Sequence, residues 1–111
     1  MASLTTHVVQ PTGLRYDNLL AAATSGGDSC ATGGGVLLVV ANGDSADHTV
    51  TLATPQTVSG LAVADRVVTV PQGGTVAIPV LDLYRDPATG QAAITYDAAA
   101  SLTVAVIRVG V

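Results

Sequence analysis

Reactive side chains are few in this chain, and they lie far apart. Histidine occurs twice, at His7 and His48, and cysteine once, at Cys30. Serine and aspartate are also present, so a Ser-His-Asp hydrolase is the first chemistry to weigh. It needs a nucleophile on a strained turn within hydrogen-bond reach of an imidazole. No Gly-x-Ser-x-Gly elbow occurs. His48 opens an alternating run just after a polar turn, and His7 lies in an N-terminal arm. Both are read as exposed turn or arm histidines, and no catalytic residue is assigned. Asp44 and Asp47 share the loop NGDSAD, and Asp82 and Asp86 share LDLYRDP. A hard cation takes about six oxygens, so two carboxylates per loop are a thin start. Aspartate also favours turns for its own reasons, because its side chain bonds the nearby backbone. One cysteine and two histidines fall short of a zinc site. Cys30 has no histidine or arginine near it in sequence, and it reads as a small space-filler. Gly33-Gly34-Gly35 precedes an apolar run, whereas a phosphate loop follows a strand and opens a helix. It reads as a linker or bulge. No metal or cofactor is expected.

The elements that would position any site are strands. The central stretch, residues 36–52, reads VLLVVANGDSADHTVTL. It has an apolar β-branched run, a turn cluster at Asn42-Gly43-Asp44-Ser45, then alternation from His48 to Leu52. This predicts a β-hairpin with one strand buried on both faces and one half-exposed. Further strands are expected at RVVTV (66–70), TVAIPV (75–80), 92–96 and 102–109, with Pro71-Gln72-Gly73-Gly74 as a turn. Inward-facing positions should be Leu38, Val40, Val50, Leu52, Val104 and Val106. Residues 14–23, LRYDNLLAAA, form the only helical candidate. Thr12 could cap it, Tyr16, Leu19, Leu20 and Ala23 would lie on one face, and Gly26-Gly27 would end it. The expected fold is all-β, a small antiparallel sandwich or barrel of jelly-roll or immunoglobulin type, with one short N-terminal helix. Residues 1–13 form an N-terminal arm, in which Leu4 to Gln10 could be a short edge strand or an extended segment, and 14–111 a single β-sandwich domain.

Composition narrows the function classes. About half the 111 residues are hydrophobic, yet phenylalanine and tryptophan are absent and only three tyrosines occur. The core must be aliphatic, and an aromatic-walled binding site has little to draw on. Every acid is aspartate and every base arginine, charged residues are 11%, and the net charge is −4. Such an acidic balance supplies no basic patch for nucleic acid. No stretch approaches the roughly 18 apolar residues of a membrane span. The first residues lack the basic start and apolar middle of a signal peptide, and a lone cysteine can form no disulfide within the chain, so synthesis in a reducing cytoplasm is expected. So little charge fits a protein packed against neighbours.

The motifs in sequence order are Gly13-Leu14 with its helical candidate, Gly27-Asp28, an apolar strand ending in Asn42-Gly43, and Thr49-Val50-Thr51. GLAVADRVVTVPQGG follows over 60–74, then Thr95-Tyr96 and the Thr-Val-Ala-Val of 103–106. Over nearly the whole chain this pattern resembles small β-rich virion proteins of tailed bacteriophages, similar to head decoration proteins. The resemblance implies a structural role without enzymatic activity. It implies residence on the outer surface of a phage head, the major capsid protein as partner, and a homo-oligomer such as a trimer. A head–tail or tail component is the alternative within that class, and a small carbohydrate-binding module the alternative outside it. Two segments are the candidate contacts: Leu4, Val8 and Val9 in the arm, and Leu83, Tyr84 and Arg85 in the loop, where Tyr and Arg are types favoured at interface centres.

Overall fold

The computed structural model describes residues 2–15, 18–55 and 57–109. Thirteen short strands run β1 (Ala2–Ser3), β2 (Thr6–Val8), β3 (Ala21–Ala22), β4 (Asp28–Cys30), β5 (Val36–Asn42), β6 (His48–Leu52), β7 (Thr57–Val58), β8 (Leu61–Ala62), β9 (Arg66–Val70), β10 (Thr75–Pro79), β11 (Arg85–Asp86), β12 (Gln91–Tyr96) and β13 (Leu102–Arg108). A 3₁₀ turn, Asp82–Tyr84, precedes β11. The first sheet has the order β1-β4-β12-β6-β9, with β11 on β12; the second is β10-β5-β13-β2, with β3 on β13. Strands β7 and β8 make a separate small hairpin.

The two sheets face each other across an aliphatic core, as expected for a β-sandwich. Leu38, Val40, Val50, Leu52, Val104 and Val106 are all buried in it, joined by Cys30, Val70, Val80, Ile94 and Leu102. In β5 and β13 the core side chains alternate with Leu37, Val39, Ala41 and Thr103, Ala105, Ile107, which therefore point to the outer face. The strands predicted at 36–40, 48–52, 66–70, 75–80, 92–96 and 102–109 are present within a residue or two.

The pairing differs from the predicted hairpin. Strands β5 and β6 lie in opposite sheets, and the turn between them carries the chain across the sandwich. The connections β9 to β10 and β12 to β13 cross in the same way. Alternation specifies which face of a strand is apolar but not which strand lies beside it, so an arch and a hairpin read alike. The three arches are tied together: Asn42 N donates to Gly74 O at 2.9 Å and Gly43 N to Ser101 O at 2.8 Å. The Pro71–Gly74 turn closes with Gly74 N on Pro71 O, and Gly73 takes the positive φ of 67° that its third position requires.

The N-terminal helix is a second correction. Among the described residues of 14–23 there is no α-helix, and Ala21 and Ala22 pair antiparallel with β13 as β3. Tyr16 and Asp17 lie outside the described residues. About ten residues make too short a helix to hold by propensity alone. The edge of β13 offers the same backbone groups a ladder. The arm is likewise part of the sandwich: β1 pairs parallel with β4, and β2 pairs parallel with β13. Of the triple glycine, Gly35 has a structural reason. Its φ is +80°, its carbonyl accepts from Val109 N, and a Cβ there would lie 2.5 Å from Val109 O.

Candidate functional site

The arches bring together the one cluster of ionisable side chains that the sequence left scattered. His48 begins β6 and is buried, its ring reaching out between two arches. Nε2 lies 2.8 Å from Asp44 Oδ2, and Nδ1 lies 3.1 and 3.2 Å from the two oxygens of Asp97. His48 is therefore not an exposed turn residue. The hydrogen bond with Asp44 raises its pKa above the ordinary value, burial opposes this, and Asp97 adds to the rise. Asp44 is held below its ordinary value by the bond to His48 and by the Ser45 backbone. Burial pulls Asp97 upward, but bonds from the Thr49 and Ala98 backbone and from His48 outweigh it and leave it lowered. Both ring nitrogens are engaged, so the imidazole has no free lone pair to act as a base. The cluster is a clamp between arches.

The aspartates of the two loops weighed as cation sites are engaged elsewhere. Asp47 Oδ1 accepts from Gln72 N, away from Asp44. Asp82 Oδ1 accepts from the Thr32 hydroxyl, and Asp86 Oδ1 from Ala88 N. Among the described residues no group of three or more His, Cys or Asp side chains is placed to hold a metal. Cys30 is buried in the core, where desolvation pushes its thiol up to about 12, so it is a poor nucleophile at neutral pH.

Asp28 was passed over as a functional residue. It is fully buried, and its Oδ2 accepts from Tyr96 Oη at 2.7 Å and from Thr24 N at 3.2 Å, while Oδ1 has no hydrogen-bond partner among the described residues. Burial first, and then the bond to Asp28, raise the Tyr96 hydroxyl above its ordinary value. The pair pins the turn before β4 onto β12. The signal available in sequence was an aspartate beside Gly27, without indication of its distant partner.

The predicted contact residues are spread over the fold. Leu4 is half-buried against the core, with its N–H donating to Ser29 O. Val8 is exposed on β2, and Val9 is half-buried with its N–H on Arg108 O. In the loop Leu83 and Arg85 are exposed, but Tyr84 is 5% exposed and belongs to the core. Tyr84 thus plugs the sandwich, and Tyr96 is half-buried with its hydroxyl committed to Asp28. Neither offers the open ring of a sugar-binding platform.

The two outer faces differ in chemistry. By register and alternation, the outer face of the β1-β4-β12-β6-β9 sheet carries Ser3, Ser29, Gln91, Ala93, Thr95, Thr49, Thr51, Val67 and Thr69. Ser29 and Ser3 hydroxyls lie within hydrogen-bond distance of Gln91 there, at 2.8 and 3.3 Å. The outer face of the other sheet carries Leu37, Val39 and Ala41 on β5, Thr103, Ala105 and Ile107 on β13, and Thr75, Ala77 and Pro79 on β10, aliphatic except for the two threonines at one end. Val39 sits at its centre, flanked in register by Ala77 and Ala105, and Val39 and Ala105 are themselves buried. His7, opposite Ile107, is the one ionisable side chain that register places on this face. Compared with protein-family models, curated proteins and solved structures, the chain matches none.

Proposed function

We propose that this chain is a structural virion protein that decorates the outer surface of a tailed-phage head, docking through the aliphatic outer face of the β10-β5-β13-β2 sheet. The observation that carries the reading is the contrast between the two faces. Apart from Val67 and Ala93 the first face bears hydroxyl and amide groups, while the second carries Leu37, Ala41, Ile107, Ala77 and Pro79 at half-buried or exposed positions around the buried Val39 and Ala105 and, by register, no Asp or Arg. Burying such a surface against a capsomer gains about 25 cal/mol per Å² of apolar area. Repetition over a lattice turns modest single contacts into firm attachment. The motif resemblance supplies the capsid as partner. A non-enzymatic role agrees with a histidine held on both sides and a cysteine kept as an unreactive thiol.

The test is co-sedimentation with undecorated heads built from the matching major capsid protein. Leu37→Asp and Ala41→Asp place a charge on the proposed docking face at half-buried positions outside the core. Each should weaken binding at least about tenfold while leaving the fold intact, because an interfacial carboxylate would be desolvated without a partner. Thr51→Asp, on the hydroxyl-rich face, should bind like the parent. Equal loss from both faces, or from neither, would rule out this docking face.

A further inference from the structure

The free edges of the sandwich are not equally protected. Strand β1 has two residues and β2 three, and β10 ends in Pro79, a residue that cannot donate to a ladder. Strand β9 is different. It ends its sheet with the five residues Arg66-Val67-Val68-Thr69-Val70, free of proline and glycine. Natural edges are usually blunted by a bulge, a proline or a charge at mid-strand. Here the only charge is at the first position, and Val67 stands 58% exposed. Beside this edge, between β9 and β10, runs a groove of about 310 Å³ lined by Val68, Ile78, Pro79, Leu81 and Tyr84 with Arg66 at one end.

We propose that β9 pairs antiparallel with β9 of a second copy of this chain, about a two-fold axis at Val68, making one continuous sheet from two sandwiches. The occupant follows from charge complementarity. In that register Arg66 stands across from Val70 of the other copy, Val67 from Thr69, and Val68 from Val68. Beyond Val70 the chain reaches Gln72, whose N–H is bonded by the carboxylate of Asp47 at 2.9 Å. Asp47 leads into β6 on the inner side of β9, so the long Arg66 side chain would extend across the other copy's β9 toward it. Arg66 makes no ion pair of its own among the described residues. Two-fold symmetry repeats the match at both ends, which a foreign strand would not supply. On the outer side, Val67 and Thr69 form β-branched cross-strand pairs of a stabilising kind. On the inner side, the two Val68 side chains roof the grooves. The docking face around Val39 belongs to the other sheet, so this inference does not rest on the proposed function.

Sedimentation velocity on the full chain over a concentration series tests the pairing. The expected species is a dimer of twice the 11.0 kDa chain mass. Arg66→Asp and Asp47→Arg should each weaken dimerisation at least about tenfold, and the double variant should restore it, because reversal of both charges rebuilds the pair. Restoration separates a lost ion pair from a damaged fold. Val67→Lys, a mid-strand charge on an exposed position, should also give monomer. Hydrogen exchange of the parent should show protection of β9 amides rising with concentration. A monomer at every concentration overturns the proposal, and so does a dimer indifferent to both charge reversals.

Discussion

A neutral imidazole donates through one ring nitrogen only, yet both nitrogens of His48 face carboxylates, so the arrangement is satisfied fully only by the protonated ring. This fixes the sign of its pH dependence. His48 gains a proton-stabilising site on folding and is raised above its ordinary 6.5. Its contribution is complete below that value and is lost as pH rises through the raised one. Asp44 and Asp97, held below their ordinary 3.8, keep their contribution until pH falls through the lowered values. The melting temperature should therefore peak in mild acid and decline as pH rises from the ordinary 6.5 of histidine through the raised value of His48. His48→Gln, which carries no proton to lose, should melt at a temperature nearly flat over that interval. A parent protein as flat as the variant would show that the clamp contributes nothing. Of this site, the sequence made only half visible. Asp44 stands four residues before His48, but Asp97 lies 49 positions away and is brought close by the arches alone.

The strands were legible because β-branched runs and period-two alternation leave a local trace, whereas their partners were not. Val36–Asn42 and His48–Leu52 look like a hairpin because an arch between sheets uses the same turn residues. Residues 14–23 misled for a related reason. Leu19, Leu20 and Ala23 have helical spacing, and nothing local reveals that the β13 edge is open to Ala21 and Ala22. Residues 1–13 read as an arm outside the domain because strands of two or three residues have no periodicity to see. In the fold β1 and β2 complete one sheet each. Removing residues 1–10 would bare the backbone of β4 and β13 and withdraw Leu4 from the core. The truncated chain should unfold at a denaturant midpoint well below that of the full chain, by an amount equal to several kcal/mol, with each lost ladder bond near 1 kcal/mol. An unchanged midpoint would mean that the arm is dispensable to the domain.

As a whole the molecule is two sheets thick, with a shortest extent of 20 Å and its chemistry divided between the faces. One face is hydroxylated, the other aliphatic, and one edge is left unblocked at β9. A chain with 11% charged residues has little to keep such surfaces apart in solution. The aliphatic face and the edge belong to different sheets, so the proposed pairing through β9 would leave the proposed docking face of each chain available. The same low charge predicts that attachment withstands salt, since screening acts on charges and not on apolar burial. Aromatic residues contribute little to any of this. Tyr84 fills the core and Tyr96 bonds Asp28, so neither of the two described tyrosines is open for recognition. The most direct test of the decoration reading is the number of copies of this chain in purified virions, counted by quantitative mass spectrometry against the major capsid protein. The account predicts many copies per head in a fixed ratio to that protein, and a few copies confined to the neck or tail, or none at all, would contradict it.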